Sequence, residues 1–181
     1  MMWPMSSGRG GDFERQVMPH LDAAYSLAHF LMRNEVDAAD VVQDAALRAF
    51  RFFESFRGGN SRAWFLTIVR NVAFSALKKR DQGEVEFDEE LHTPEASAAP
   101  GGAQLDREFD AAIVRAAIDQ LPAEFREVIT LRELEDCSYK EIAEIVAVPI
   151  GTVMSRLARA RRQLHQILAS KVSNENEPRG D

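Results

Sequence analysis

The chain has 181 residues, an apolar fraction of 45%, 11 Phe and a net charge of −7; that is enough for one large or two small packed domains and excludes a disordered protein. Its single cysteine, Cys137, excludes an internal disulfide and a thiolate zinc cluster, and the four histidines (His20, His29, His92, His165) are scattered without ligand spacing. No apolar run reaches the ~18–20 residues of a membrane span, and the start MMWPMSSGRGG lacks a signal-peptide core, so no membrane insertion and a cytoplasmic location are expected. The negative charge is local. Asp81 to Asp110 holds ten acids and one base, a net −9 against the chain's −7, which leaves +2 for everything else. Both flanking blocks are therefore near neutral and free to carry basic faces.

In chain order, Met1 to Gly11 reads as unstructured, and Asp12 can cap a short turn carrying Phe13 and Val17. Pro19 suits the first position of a helix to about Met32, with Leu21, Ala24, Tyr25, Ala28 and Leu31 on one face. A helix over Asp37 to Phe53 would bury Val42, Ala45, Ala46, Ala49 and Phe53. Its opposite face carries Asp40, Gln43, Asp44 and Arg51, with Leu47 among them. An apolar side chain framed by carboxylates suits a docking surface, although a single exposed leucine is also common.

Phe56 to Ser61 is a loop by composition, and Ser61 can cap a helix from Arg62 to about Arg80. Phe65, Val69, Val72, Ala73 and Ala76 form its buried stripe, while Trp64, Thr67, Asn71, Phe74 and Lys78 fall on the other side. Aromatic, amide and basic groups on one outer face suit single-stranded nucleic acid: rings stack on bases, an amide reads a base edge, and lysine neutralises phosphate. Packing of Trp64 and Phe74 against a neighbouring helix is the alternative. Gln82 to about Gln104 has prolines, glycines, an acid run and no periodicity, and reads as a flexible linker.

Helix periodicity resumes at Phe109 to Gln120, and Pro122 opens a helix to about Leu134 built on Phe125, Val128, Ile129 and Leu131. In SYKEIAEIVAVPIGTVMSRLARARR, starting at Ser138, two helical stripes follow: Ile142, Ala143, Val146, then Val153, Leu157, Ala160. Pro149 forces Val148 out of the α region, so the corner between them is sharp. No acid occurs from Gly151 to Ala169, while Arg156, Arg159, Arg161 and Arg162 do. A short helix, a tight corner and a longer arginine-bearing helix are the parts of a helix-turn-helix. Cys137, beside a helix start, reads as a partly buried filler rather than a reactive thiol. The resulting division is all-α: a helical block at 12–80, an acidic linker at 81–108, a second helical block at 109–170 and a polar tail at 171–181.

The run DAADVVQDAALRAFRFFESFRGGNSRAWFLTIVRNVA resembles region 2 of the bacterial extracytoplasmic-function sigma factors, and LPAEFREVITLRELEDCSYKEIAEIVAVPIGTVMSRLARARRQL resembles their region 4. The resemblance covers most of Phe13 to Leu168, with both blocks in order. It implies a non-enzymatic subunit, without cofactor, metal or catalytic residues, that binds core RNA polymerase and takes it to promoters. Core-polymerase contact would fall to Asp40, Gln43, Asp44 and Leu47, facing the coiled-coil helices of the largest polymerase subunit. Contact with −10 DNA, including capture of a flipped base, would fall to Phe56, Arg57 and Asn60 of the loop and to Trp64, Asn71 and Lys78. Thr152, Ser155, Arg156 and Arg159 would read the −35 element, with Arg161 and Arg162 nearer phosphates. An anti-sigma factor clamping the two blocks is also implied, as is passage of the acidic linker through polymerase channels in place of nucleic acid.

Two positions depart from the family pattern. Ala147 stands where glycine is usual, and Met154 replaces the base of GTVKSR or GTVRSR. Both bear on −35 binding. Two other readings fit a helix-turn-helix chain: a stand-alone DNA-binding regulator, and a sigma-like decoy that sequesters an anti-sigma factor. The acidic linker argues against the first, and the intact Arg156 and Arg159 against the second.

Overall fold

Caps and apolar spacing divide the described residues into eight α-helices with no strand; in this computed structural model those residues are 8–83 and 102–175, the side chains of 102–109 and 174–175 excepted. Helix α1 spans Arg9–Val17, so residues 9–11, expected to be unstructured, are helical. Two helical glycines cost about 1 kcal/mol each. Phe13 offsets this by packing edge-on against Phe50 and Phe53 at 5.2 and 5.5 Å, and Arg9 donates to the Phe50 and Arg51 carbonyls at 2.7 Å each.

A 3₁₀ turn at Met18–His20 carries Pro19, so α2 begins later than expected, running Leu21–Met32 to a left-handed Arg33. Asn34 caps α3, Glu35–Phe52, by accepting from the Asp37 N–H. Its buried stripe is Ala38, Val41, Ala45 and Ala49. Val41 thus occupies the place expected for Val42, which is half-buried with Ala46. Helix α4, Ser61–Asp81, is capped by Asn60 rather than Ser61, because the Asn60 side chain accepts from the Ala63 N–H. It buries Phe65, Val69, Val72 and Ala73 as expected, and also Ala63 and Leu66.

Helix α5 spans Gly102–Ile118, starting inside the span expected to be linker; the rest of that linker, 84–101, lies outside the described residues. Helix α6, Ala123–Ile129, follows Pro122, which sits at the cap and not at the first helical position. A π-turn at Thr130–Leu134 completes the segment expected as one plain helix. Then come α7, Tyr139–Val146, and α8, Ile150–Glu175. Helix α8 continues through 171–175, expected to be tail; 176–181 lie outside the described residues.

Helices α2, α3 and α4 pack mutually as one cluster, and α8 lies across α6 and α7 in the other. The clusters also touch, α4 against α7 and α2 against α6, and their buried apolar side chains form one continuous core. Two neighbouring charges on α6 lie in this contact. Arg126, 4% exposed, donates to the Phe30, Leu31 and Leu121 carbonyls at 2.8, 3.0 and 2.5 Å. Burial, with Arg33 nearby, pushes its guanidinium down to about 10, so it stays charged at neutral pH. Glu127 is fully buried and accepts two hydrogen bonds from Arg70, at 2.9 and 3.3 Å. Burial raises its carboxyl pKa, against the pull of Arg70 and Arg156.

Candidate nucleic-acid interface

The outer face of α3 presents Asp40 and Gln43 to solvent and Asp44 at partial exposure. Leu47 is 63% and Phe52 56% exposed. These two flank a shallow depression of about 310 Å³ lined also by Asp44, Arg48 and Arg51. Asp44 is ion-paired to Arg48 at 3.0 Å. Leu47 is thus not a lone exposed leucine; it forms part of an apolar patch ringed by charge, which suits a protein surface with complementary charges at its rim.

The loop after α3 turns at Gly58 and Gly59, with φ of +85° and +94°. These left-handed conformations are costly for any residue with a Cβ. They leave Arg57 exposed while Phe56 folds back onto Trp64, ring centroids 5.1 Å apart, with Phe53 behind both. Trp64 is consequently half-buried, an aromatic step rather than a free ring. Asn71 and Lys78, further along the same side of α4, are exposed. Phe74 lies beneath Arg70, whose guanidinium is 4.1 Å from the ring centroid. Asn60 is turned away from this line. Its oxygen caps α4, and its amide donates to Glu141 at 2.6 Å.

The corner between α7 and α8 follows from its sequence. Ser138 and Glu141 form a capping box at the start of α7. Hydrogen bonds from the Ser138 backbone N–H, above all, and from Asn60 hold the Glu141 carboxyl below its usual range. Ala147 ends the helix at φ 55°, ψ 47°, in the left-handed region where glycine is the natural occupant. The Val148 N–H then bonds the Ala143 carbonyl, and the Pro149 carbonyl accepts from the Thr152 and Val153 N–H groups, which starts α8.

Helix α8 buries Val153, Leu157 and Ala160 and exposes Ser155, Arg159, Arg161 and Arg162; Thr152 and Arg156 are half-buried. Met154 is 52% exposed, so the position that departs from the family pattern faces outward. Two of the arginines are already engaged. Arg156 lies 3.6 Å from Glu124 and 3.7 Å from Glu127, and Arg161 bonds Glu133 at 2.6 Å. Cys137 is fully buried, with Arg62 3.0 Å from its sulfur. Burial pushes its thiol pKa up, which suits a filler and not a nucleophile.

Sequence reasoning missed Arg70, Arg126, Glu127 and Glu141. Each is a charge beside a core position of an amphipathic helix, and nothing in the local pattern separates it from a solvated one. Among the described residues no group of three or more His, Cys, Asp or Glu side chains could hold a metal ion, and no helix is long and apolar enough to cross a membrane.

Residues 16–82 match the family described as Sigma-70 region 2, and residues 111–164 match Sigma-70, region 4. The chain is 32% identical over 162 residues to the ECF RNA polymerase sigma factor SigE of Mycolicibacterium smegmatis, a match covering 89% of this chain and 63% of that longer protein. It is 32% identical over 166 residues to the RNA polymerase sigma-H factor of Pseudomonas aeruginosa, covering 86% of each. With the ECF RNA polymerase sigma-E factor of Escherichia coli it shares 36% identity over 138 residues, 71% of this chain and 72% of the other. Among solved structures, the sigma factor RpoE crystallised with the anti-sigma factor NepR from Bartonella quintana superposes with a TM-score of 0.70 at 30% identity, over 87% of this chain and 97% of that one. CnrH in complex with the cytosolic domain of CnrY gives 0.61 at 26% identity, over 91% and 92%.

Proposed function

This chain belongs to the extracytoplasmic-function sigma factors of the sigma-70 family, subunits that direct RNA polymerase to promoters and do no chemistry of their own, and we propose how its surfaces divide that work. The outer face of α3, with Asp40, Gln43, Asp44 and Leu47, docks on core polymerase. The Phe56–Asn60 loop and the Trp64, Asn71, Lys78 side of α4 take the −10 element. Helix α8, through Thr152, Ser155, Arg156 and Arg159, reads the −35 element, with Arg161 and Arg162 on phosphates.

The observation that carries this reading is the separation of the three surfaces. An apolar patch with a charged rim, an aromatic-amide-lysine line and an arginine-bearing recognition helix lie on three different helices, each partly open to solvent. Those are the chemistries suited to a protein groove, an unstacked base and a major groove respectively. An anti-sigma partner is also proposed, because the sigma factor RpoE, of similar fold, was solved in complex with an anti-sigma factor. A free-standing regulator would need its arginines clear of carboxylates, and Arg156 and Arg161 are not.

Run-off transcription with core enzyme on genomic fragments, followed by start-site mapping, tests the whole assignment. A chain that binds those fragments tightly alone and adds nothing to core enzyme would overturn it. For the docking face, Asp40→Ala with Asp44→Ala should weaken core-enzyme capture about tenfold or more, and undiminished capture would remove that face.

A further inference from the structure

The loop that carries Phe56, Arg57 and Asn60 has little packing of its own. At Gly58 and Gly59 a Cβ would meet no atom within 4 Å, so the course of the loop is set at its two ends. One end is the Asn60 cap on α4. The other is the last turn of α3 and the 3₁₀ turn at Phe53–Ser55 that follows it. The last carbonyls of an α-helix have no i+4 donor within it and must find partners elsewhere. The Ser55 hydroxyl donates to the Phe52 carbonyl at 2.6 Å. The neighbouring Phe50 and Arg51 carbonyls are both taken by Nη2 of Arg9, from α1. The same guanidinium pairs with Glu54 at 3.1 Å and lies 5.2 Å from the Phe50 ring centroid.

Phe13 follows Arg9 by four residues and shares its face of α1. Its ring meets Phe50 and Phe53 edge-on. Phe53 in turn stacks on Phe56 at 6.0 Å, with 23° between the planes, and meets Trp64 edge-on at 6.3 Å. The aromatic step of Phe56 and Trp64 therefore ends a row of rings that begins in α1, and close packing along such a row carries a displacement from one ring to the next. Helix α1 itself has nine residues, two of them glycine, too few and too weak a set to be helical in water without docking. Both Arg9 and Phe13 precede residue 16, where the match to Sigma-70 region 2 begins.

We propose that α1 is a brace for the −10 loop: Arg9, by clamping the end of α3, and Phe13, by backing Phe53, are positioning residues that hold Phe56 and Trp64 at the spacing an unstacked base requires. The inference rests on the assignment of that loop to the −10 element. Neither side chain touches DNA in this scheme. Arg9 acts through the backbone from which the loop departs, and Phe13 acts through Phe53.

The test compares full-chain holoenzymes carrying Phe13→Ala, Arg9→Ala or Trp64→Ala on promoters altered in one element at a time. The transcript ratio between intact and −10-altered templates gives −10 discrimination, and the matching ratio gives −35 discrimination. A smaller folded fraction lowers both transcripts alike, so lost stability alone moves neither ratio. Trp64→Ala should lower −10 discrimination about tenfold. Phe13→Ala should lower it about fivefold and Arg9→Ala about threefold, with −35 discrimination retained in both. Should Phe13→Ala fail to assemble, Arg9→Ala decides, since 40% of that side chain is exposed and the fold does not depend on it. In Arg9→Ala the salt dependence of −10 binding should keep its wild-type slope; a slope shallower by about one unit marks a direct phosphate contact and overturns the brace. Wild-type −10 discrimination in either α1 variant, with Trp64→Ala impaired, also overturns it, as does an equal loss at −10 and −35. If Trp64→Ala itself keeps full −10 discrimination, the loop assignment fails and the brace with it.

Discussion

The outer side of α4 and the outer side of α8 are both proposed here to meet nucleic acid, yet their polar groups are differently occupied. On α4, Asn71 and Lys78 face solvent and the aromatic step of Phe56 and Trp64 is packed in place. On α8, Arg156 and Arg161 rest against Glu124, Glu127 and Glu133. In the proposed assignment the first surface would be pre-shaped for an unstacked base. The second is pre-neutralised, so in the same assignment duplex DNA would have to displace carboxylates before it gained Arg156 and Arg161. Recognition at −10 should therefore depend on shape and stacking, and recognition at −35 on charge and salt.

Arg156→Ala is the heaviest blow to that contrast. It should cost about 1–3 kcal/mol at a cognate −35 element and leave −10 preference intact, as measured by holoenzyme competition between promoters altered in one element at a time. Equal losses at both elements would erase the distinction. Asn71→Ala should remove about 1 kcal/mol, concentrated at one −10 position. A sequenced promoter library reads this, and an unchanged −10 profile would strike Asn71 from the surface. Ala147→Gly should stabilise the protein by about 1 kcal/mol, since it relieves a left-handed alanine. The melting temperature in calorimetry would rise by about 2–4 °C, and no rise would mean the corner is unstrained. Met154→Lys is the gentlest change: it should steepen the salt dependence of −35 binding by about one unit of slope, while leaving the −10 response to salt as it was.

Much of this is legible in the sequence alone. The stripes Phe65, Val69, Val72 and Val153, Leu157, Ala160 lie where a 3.6-residue period puts them, and Pro149 marks the corner that the chain turns. Ala147 was suspect from its place in the motif, and its φ of 55° gives the reason. What escaped was non-local. Gly10 and Gly11 argue against a helix until Phe13 finds Phe50 and Phe53 forty residues on. Ser61 and Asn60 are equally good caps by composition, and only the bond to the Ala63 N–H separates them. Arg126 and Glu127 are the sharper case: beside Phe125, Val128 and Ile129 they read as solvated charges, yet both are buried. Their partners, Phe30, Leu31 and Arg70, come from distant helices, and no window along α6 contains them.

The guanidinium of Arg126 against the Phe30 and Leu31 carbonyls has a practical consequence. The end of α2 borrows its terminal hydrogen bonding from a segment nearly a hundred residues downstream. A fragment expressed as the N-terminal half alone would begin with those carbonyls facing water. Its second helix should fray from the C-terminal end, first seen as rapid amide exchange around Arg33.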